Sequence, residues 1–367
     1  MLSGVFYYFE NMAARKKNKK KTSKRKHGSI GLLLIAILAL VFAAFFYSLF
    51  LRPATKFKGE EMVILIPASK ANKNYIKNKI SSSVKPVQYT TFLALAEWFG
   101  YWNHIKAGRY VIKKDASIFS FFRRLNGGRQ SPVNLTINKF RTNKDLAKFI
   151  SSKLEFTEKD FLNYISNNDS LKVFGVNNQT LMTLIIPNTY EIYWNLSPNE
   201  FISRMNKEAN KFWNSNRIEK AQELQLSKEE IYSLASIIEE ETNDDNEKPI
   251  IASVYLNRLR KNMNLGADPT IKFALGNFSL KRITLQHINT SKSSLYNTYK
   301  NKGLPPGPIS SASIPSIDAV LNAKKSDYLY FCAKEDFSGS HNFAATAEEH
   351  MKNAKKYQRA LDSLRIH

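Results

Sequence analysis

The chain has 367 residues, with 55 Lys plus Arg against 31 Asp plus Glu, a formal charge of +24. Apolar residues at 43% and charged residues at 23% exclude global disorder, and 14 Gly with 12 Pro exclude a collagen-like or low-complexity chain. The single Cys332 excludes an internal disulfide framework, and six scattered His without an H-x-x-x-H pair give no reason to expect a metal or other cofactor.

The charge is concentrated at the start. Residues 15–26, RKKNKKKTSKRK, hold nine Lys or Arg and no acid. Ile30 to Leu51 then gives 22 uncharged residues, enough for a helix to cross about 30 Å of hydrocarbon. A cleavable signal would have a shorter apolar region, about 7–15 residues, followed by small residues. This run ends in Tyr47-Ser48-Leu49-Phe50-Leu51, so it reads as a retained anchor. The positive-inside rule puts residues 1–29 in the cytoplasm and 52–367 outside, in a single-pass inner-membrane protein. A basic tail can also bind nucleic acid, but beside a span it reads as a topology signal drawn to anionic lipid heads. No nucleic-acid partner is expected. The remainder after Leu51 is still +16, which suits an anionic partner in the cell envelope.

Outside the span, Val63 to Ile66 reads as a buried strand, Tyr75 to Ile80 and Phe92 to Phe99 as helices, and Ala107 to Ile112 as a turn and strand. Ser117 to Leu125 is a short helix, Asn126-Gly127-Gly128 a turn, and Val133, Leu135 and Ile137 alternate as a strand does. The result is a small α+β module over 52–141, sized for binding or spacing. From 142 to 367 the chain is mainly helical. Thr142, Thr157 and Ser197 begin helices, and Ser227-Lys228-Glu229-Glu230 is a capping box before an apolar-periodic run.

That run, SKEEIYSLASIIEEET, places Ile231, Leu234, Ala235 and Ile238 on one face. At about 100° per residue Glu240 falls opposite them, Glu239 on the boundary, and Glu241 within about 60° of the apolar stripe. The wheel therefore singles out Glu241 as partly desolvated. Burial raises a carboxyl pKa, and a Glu still protonated near neutrality can serve as a general acid. The plain alternative for all three is a solvated or ion-paired helix end.

The segments ASIIEEET, IIASVYLNRLRKNMNLGADPTIKFAL, SLYNTYKNKGLPPGPISS and DYLYFCAKEDFSGSHNFAATAEEH, in this order, resemble the YceG-like family of endolytic murein transglycosylases. A looser likeness runs back through IKAGRYVIKKDASIFSFFRRLNGG and LIIPNTYEIYW. The resemblance implies an α+β protein: an N-terminal transmembrane helix, a small LysM-like module, and a mainly helical catalytic domain. It implies peptidoglycan glycan strands as substrate, cell-wall synthases as partners, and cleavage that leaves a 1,6-anhydro-N-acetylmuramoyl end. The family's acid is the second Glu of an E-x-E motif, which matches Glu241, and the first matches Glu239, a candidate for substrate binding. Glu240 stands where Lys is common, Leu295 where Pro is common, and Ser311-Ala312-Ser313 replaces an Asn-Pro-Gly turn.

One acid suffices for such a reaction, because the sugar's own C6 hydroxyl replaces water as nucleophile. Asn257, Asp268, Tyr296, Asn297 and Tyr299 are candidates to position the sugar, against a bland role holding loops. Arg258 reads as a solvated or paired surface residue. A glycoside hydrolase with Asp268 or Glu191 as second carboxylate is the competing enzyme. A non-catalytic envelope scaffold is the competing binding protein.

Overall fold

The computed structural model describes residues 30–363; the expected cytoplasmic tail, 1–29, lies outside them. The chain divides into two compact units at Ser131/Pro132.

The first unit opens with α1 (Ile30–Leu51), a 22-residue helix of mean hydropathy 2.8 that is long and apolar enough to cross a membrane. Its last turn widens to a π-type turn, where Leu49 is buried and Phe50 meets Phe119 at 4.6 Å. After it, β1 (Glu61–Ile66) pairs antiparallel with β2 (Gly108–Lys113), with Ile64 opposite Tyr110. Between them run α2 (Lys73–Ser83), capped by Asn72, and α3 (Pro86–Trp98); α4 (Ile118–Asn126) follows, capped by Ser117. Ile64 and Ile66 join Ile76, Ile80, Phe92, Tyr110, Phe121 and Phe122 in the core. Val63 and Leu65 are exposed. The strand is thus buried on one face only, because a two-stranded antiparallel sheet packed on one side alternates in and out.

The second unit begins with β3 (Val133–Thr136). The alternation at 133–137 is a strand as expected, but its antiparallel partner is β4 (Thr189–Ile192), with Leu135 opposite Tyr190. The strand therefore belongs to the second unit, and the division lies ten residues earlier than the 141/142 boundary expected from the sequence. Between the strands lie α5 (Asn143–Ser151), α6 (Glu158–Ser166) and α7 (Asn168–Lys172). Then follow α8 (Pro198–Phe212), α9 (Ser215–Glu223), α10 (Lys228–Glu241), α11 (Lys248–Arg260), α12 (Asp268–Ala274), α13 (Leu285–Thr290) and α14 (Ile314–Leu321). A hairpin of β5 (Tyr330–Ala333) and β6 (His341–Ala344) leads to α15 (Ala347–Ser363). The capping boxes at Thr142, Thr157, Ser197 and Ser227 all form, each with the acidic residue three positions on returning a bond to the cap.

Helix α10 is the axis of this unit. Ile231 through Ile238 are all buried, eight consecutive residues including Ser233 and Ser236. A helix apolar or covered on every side is a core helix. Helices α11, α12 and α14 pack against it. Two polar groups on it are used to tie down its neighbours: Ser236 Oγ accepts from the Ile309 amide at 3.0 Å, and Tyr232 Oη accepts from the Ala312 amide at 3.1 Å. The loop before α14 is fixed in this way against α10.

Candidate active site

Glu239, Glu240 and Glu241 end α10. Three carboxylates at the negative end of a helix dipole are locally unfavourable, so each needs an external reason to be there. The structure supplies a different one for each.

Glu241 points to α11 and α12. Tyr255 on α11 is buried, and its hydroxyl donates to Glu241 Oε1 at 2.7 Å. Burial pushes the Glu241 carboxyl up to about 7; the Tyr255 hydrogen bond opposes this, the Asp268 charge adds to it, and Lys272 and Arg258 pull the other way. The side chain keeps partial access to solvent. A carboxylic acid that is still about half protonated at neutral pH, and still reachable, is what proton donation to a leaving group requires.

Asp268 is the first residue of α12. Pro269 in the first helical turn favours a helix start there, since its fixed φ suits that position and its missing N–H costs nothing. The helix start is set by two loops bonded to one another. Gly266, with φ +58°, donates its amide to Thr298 O at 3.0 Å, and Ala267 N donates to Thr298 Oγ1 at 3.0 Å. The Asn264 amide donates to Tyr299 O at 2.6 Å. This stitching brings the Tyr299 hydroxyl to Asp268 Oδ1 at 2.5 Å. Burial, the Asp268 bond and the charges of Asp268 and Glu241 all raise the Tyr299 phenol, so it stays protonated and donates. Two tyrosine–carboxylate pairs thus stand in one electrostatic neighbourhood.

The other candidates divide. Tyr296 packs on Phe273 of α12 at 4.6 Å and is partly exposed. Asn297 is fully buried and spent on its own loop: its amide donates to Ile288 O and Ser291 Oγ, and its Oδ1 accepts from the Tyr299 and Lys300 amides. It shapes the loop that carries Tyr299. Asn257 is on another face of α11 from Tyr255, where its amide donates to Ser326 O at 2.7 Å and Tyr328 O at 3.0 Å. Glu239 faces away from Glu241. Its Oε2 accepts from Ser313 Oγ and Ser316 Oγ, each at 2.5 Å, with Lys248 Nζ at 3.5 Å. Burial pushes its carboxyl up, but those hydroxyls and the Lys248 and Lys139 charges outweigh burial and hold it below the usual range. It borders a cavity of about 360 Å³ with Thr136 to Lys139 and Pro187 to Thr189.

Glu240 does not face water as the wheel implied. Its side chain is 13% exposed, with Lys139 Nζ at 2.8 Å and Arg141 Nη2 at 3.2 Å. The wheel knows only the helix; the segment after β3 covers its far side and brings two cations with it. Arg258 is likewise not a surface residue. Its Nε donates to Leu329 O at 2.6 Å, its Nη1 donates to Leu265 O, and its guanidinium lies over Tyr330 at 5.4 Å. Glu191 is exposed on β4 and lines a separate cavity with Glu200 and Arg204. Tyr255 was not among the candidates. Its signal was the spacing of Ile251, Tyr255 and Arg258, which puts a hydroxyl and a cation on the buried face of α11.

These features bring one desolvated carboxylic acid, Glu241, together with a buried tyrosine donor at the end of α10. The profile of the YceG-like family matches residues 69–356, and the chain belongs to that family. An endolytic murein transglycosylase of Bacillus subtilis is 30% identical over 297 residues, covering 77% of this chain and 79% of the relative. One from Streptococcus pneumoniae is 27% identical over 289 residues; the match spans 70% of this chain and 51% of that protein. A crystal structure of a YceG-like protein from Listeria monocytogenes superposes with a TM-score of 0.52 at 27% identity, covering 80% of this chain and 98% of the other.

Proposed function

We propose that the protein is a peptidoglycan lytic transglycosylase that cuts the MurNAc–GlcNAc bond of nascent glycan strands endolytically and leaves a 1,6-anhydroMurNAc end. The observation that carries this reading is Glu241: one desolvated acid, raised to about 7, held by a tyrosine hydroxyl. Its proton passes to the glycosidic oxygen as the C1–O bond breaks. The resulting carboxylate then takes the proton of the MurNAc C6 hydroxyl as that oxygen bonds to C1. The acid is regenerated, no water is consumed, and one group serves both steps.

The test is mass spectrometry of sacculi digested by the protein: anhydro ends are expected, and reducing ends would point to the hydrolase instead. The pH profile is a second test. The free enzyme must hold Glu241 protonated, so kcat/KM should fall as pH rises through about 7. Asp268→Asn removes a charge that raises Glu241, so the limb should move to lower pH. Tyr255→Phe removes a bond that favours the ionised form, so the limb should move to higher pH. Shifts of the same sign in both variants would reject Glu241 as the group observed.

Helix α1 supports a membrane anchor, with the N-terminus in the cytoplasm and the catalytic unit outside the inner membrane, where cell-wall synthases work. A reporter active only outside the cytoplasm, fused after His367, should be active; silence there would reject the topology. The first unit reads as a LysM-like module that places the enzyme on the wall, and alone it should release no anhydro products.

A further inference from the structure

One buried acid–imidazole pair has no part in the chemistry above. Glu247, just before α11, is 8% exposed, and both its oxygens are spent on a single residue. Oε1 accepts from the His341 backbone N–H at 2.7 Å, and Oε2 lies 2.8 Å from His341 Nδ1. A carboxylate can only accept, so Nδ1 carries the proton. In the neutral ring the lone pair is then on Nε2. Among the described residues Nε2 makes no hydrogen bond, and the side chain is 13% exposed.

The position of this ring ties it to Glu241. In the β5–β6 hairpin Phe331 is opposite Phe343 and Ala333 opposite His341, so these side chains share one face. Phe331 on that face meets Tyr255 edge-on at 5.8 Å and His341 edge-on at 5.4 Å. Tyr255 holds Glu241. From the other side, Glu247 follows Glu241 by a short corner between α10 and α11. Two routes through the structure therefore place His341 two ring contacts from the partner of the acid. A histidine kept only for packing would not need a buried carboxylate clamping one nitrogen while the other is left open, since burying that carboxylate is costly.

We propose that His341, oriented by Glu247, is a substrate-contact residue whose Nε2 accepts a hydrogen bond from an O–H or N–H group of an amino-sugar strand bound at Glu241. The inference rests on the reading of the protein as a glycan-cleaving enzyme. Glu247 is the positioning residue: it fixes the tautomer and the ring plane, and it touches no substrate.

The experiment uses the full chain in nanodiscs, carrying Glu241→Gln so that strands are bound and not cut. The probe is glycan strands freed of stem peptides by an amidase. On adding strands, the ¹⁵N resonance of His341 Nε2 should move while Nδ1 stays. In the same background His341→Ala should weaken binding about 3–10-fold, the worth of one hydrogen bond, and His341→Gln should recover part of it. An unmoved Nε2 resonance, in a protein whose wild-type parent releases anhydro ends, would overturn the inference and leave the function standing. A wild-type parent that releases none would overturn the function first. The Nε2 measurement needs no change at His341, so it decides the matter even if the alanine variant unfolds.

Discussion

Glu241→Gln is expected to lose at least about 10²–10⁴-fold in anhydro-muropeptide release, the usual worth of general acid–base assistance, while its fold becomes more stable at neutral and alkaline pH. Gln keeps the size of the side chain and can accept the Tyr255 hydrogen bond, but it has no proton to give. The stability gain follows from linkage. The Glu241 carboxyl titrates near 4.5 when unfolded and at about 7 when folded. Between those values the folded state binds more protons, so stability falls as pH rises. The cost of the acid is absent below about 4.5 and complete above about 7, and at ~1.4 kcal/mol per pH unit it reaches about 3–4 kcal/mol. Melting curves of both proteins should coincide at pH 4 and separate by pH 8, with the Gln variant higher. Near wild-type release by a folded variant would sink the single-acid mechanism. Matched melting temperatures at pH 8 would show that Glu241 is not desolvated.

Arg258→Met is expected to cost about 2–4 kcal/mol. Met retains the apolar stem, but the carbonyls of Leu329 and Leu265 lose their donors in a partly buried setting. An orphaned buried acceptor costs about 1–3 kcal/mol. For a unit of this size that is a fall of roughly 5–15 °C in melting temperature. Activity should fall as well, because Leu265 begins the turn that sets Asp268, and Leu329 leads into the hairpin that carries Phe331 and His341. Removing the cation also removes a group that lowers Glu241, so the surviving activity should keep its descending limb at higher pH than the parent. Calorimetry tests the first claim and a pH profile the second; an unchanged melting temperature would mean that the two carbonyls find other partners.

What the sequence determined by itself is what depends on residues near one another in the chain. Four capping boxes, the span of α1 and the course of α10 follow from cap chemistry, unbroken apolar length and helical period, all local properties. The wheel chose Glu241 from three adjacent acids because desolvation near an apolar stripe is also local in origin. The tertiary structure decided whatever depends on a partner distant in sequence. β3 joined the second unit because β4 is there to pair with it. Glu240 lost its water because Lys139 and Arg141 cover the far side of α10. Asn297 proved to be a loop brace, Arg258 a partly buried clamp, and Asp268 a helix start joined to Tyr299. The Glu247–His341 pair became visible only when α11 and the β5–β6 hairpin met, because a hydrogen bond between residues 94 positions apart leaves no periodicity in the chain.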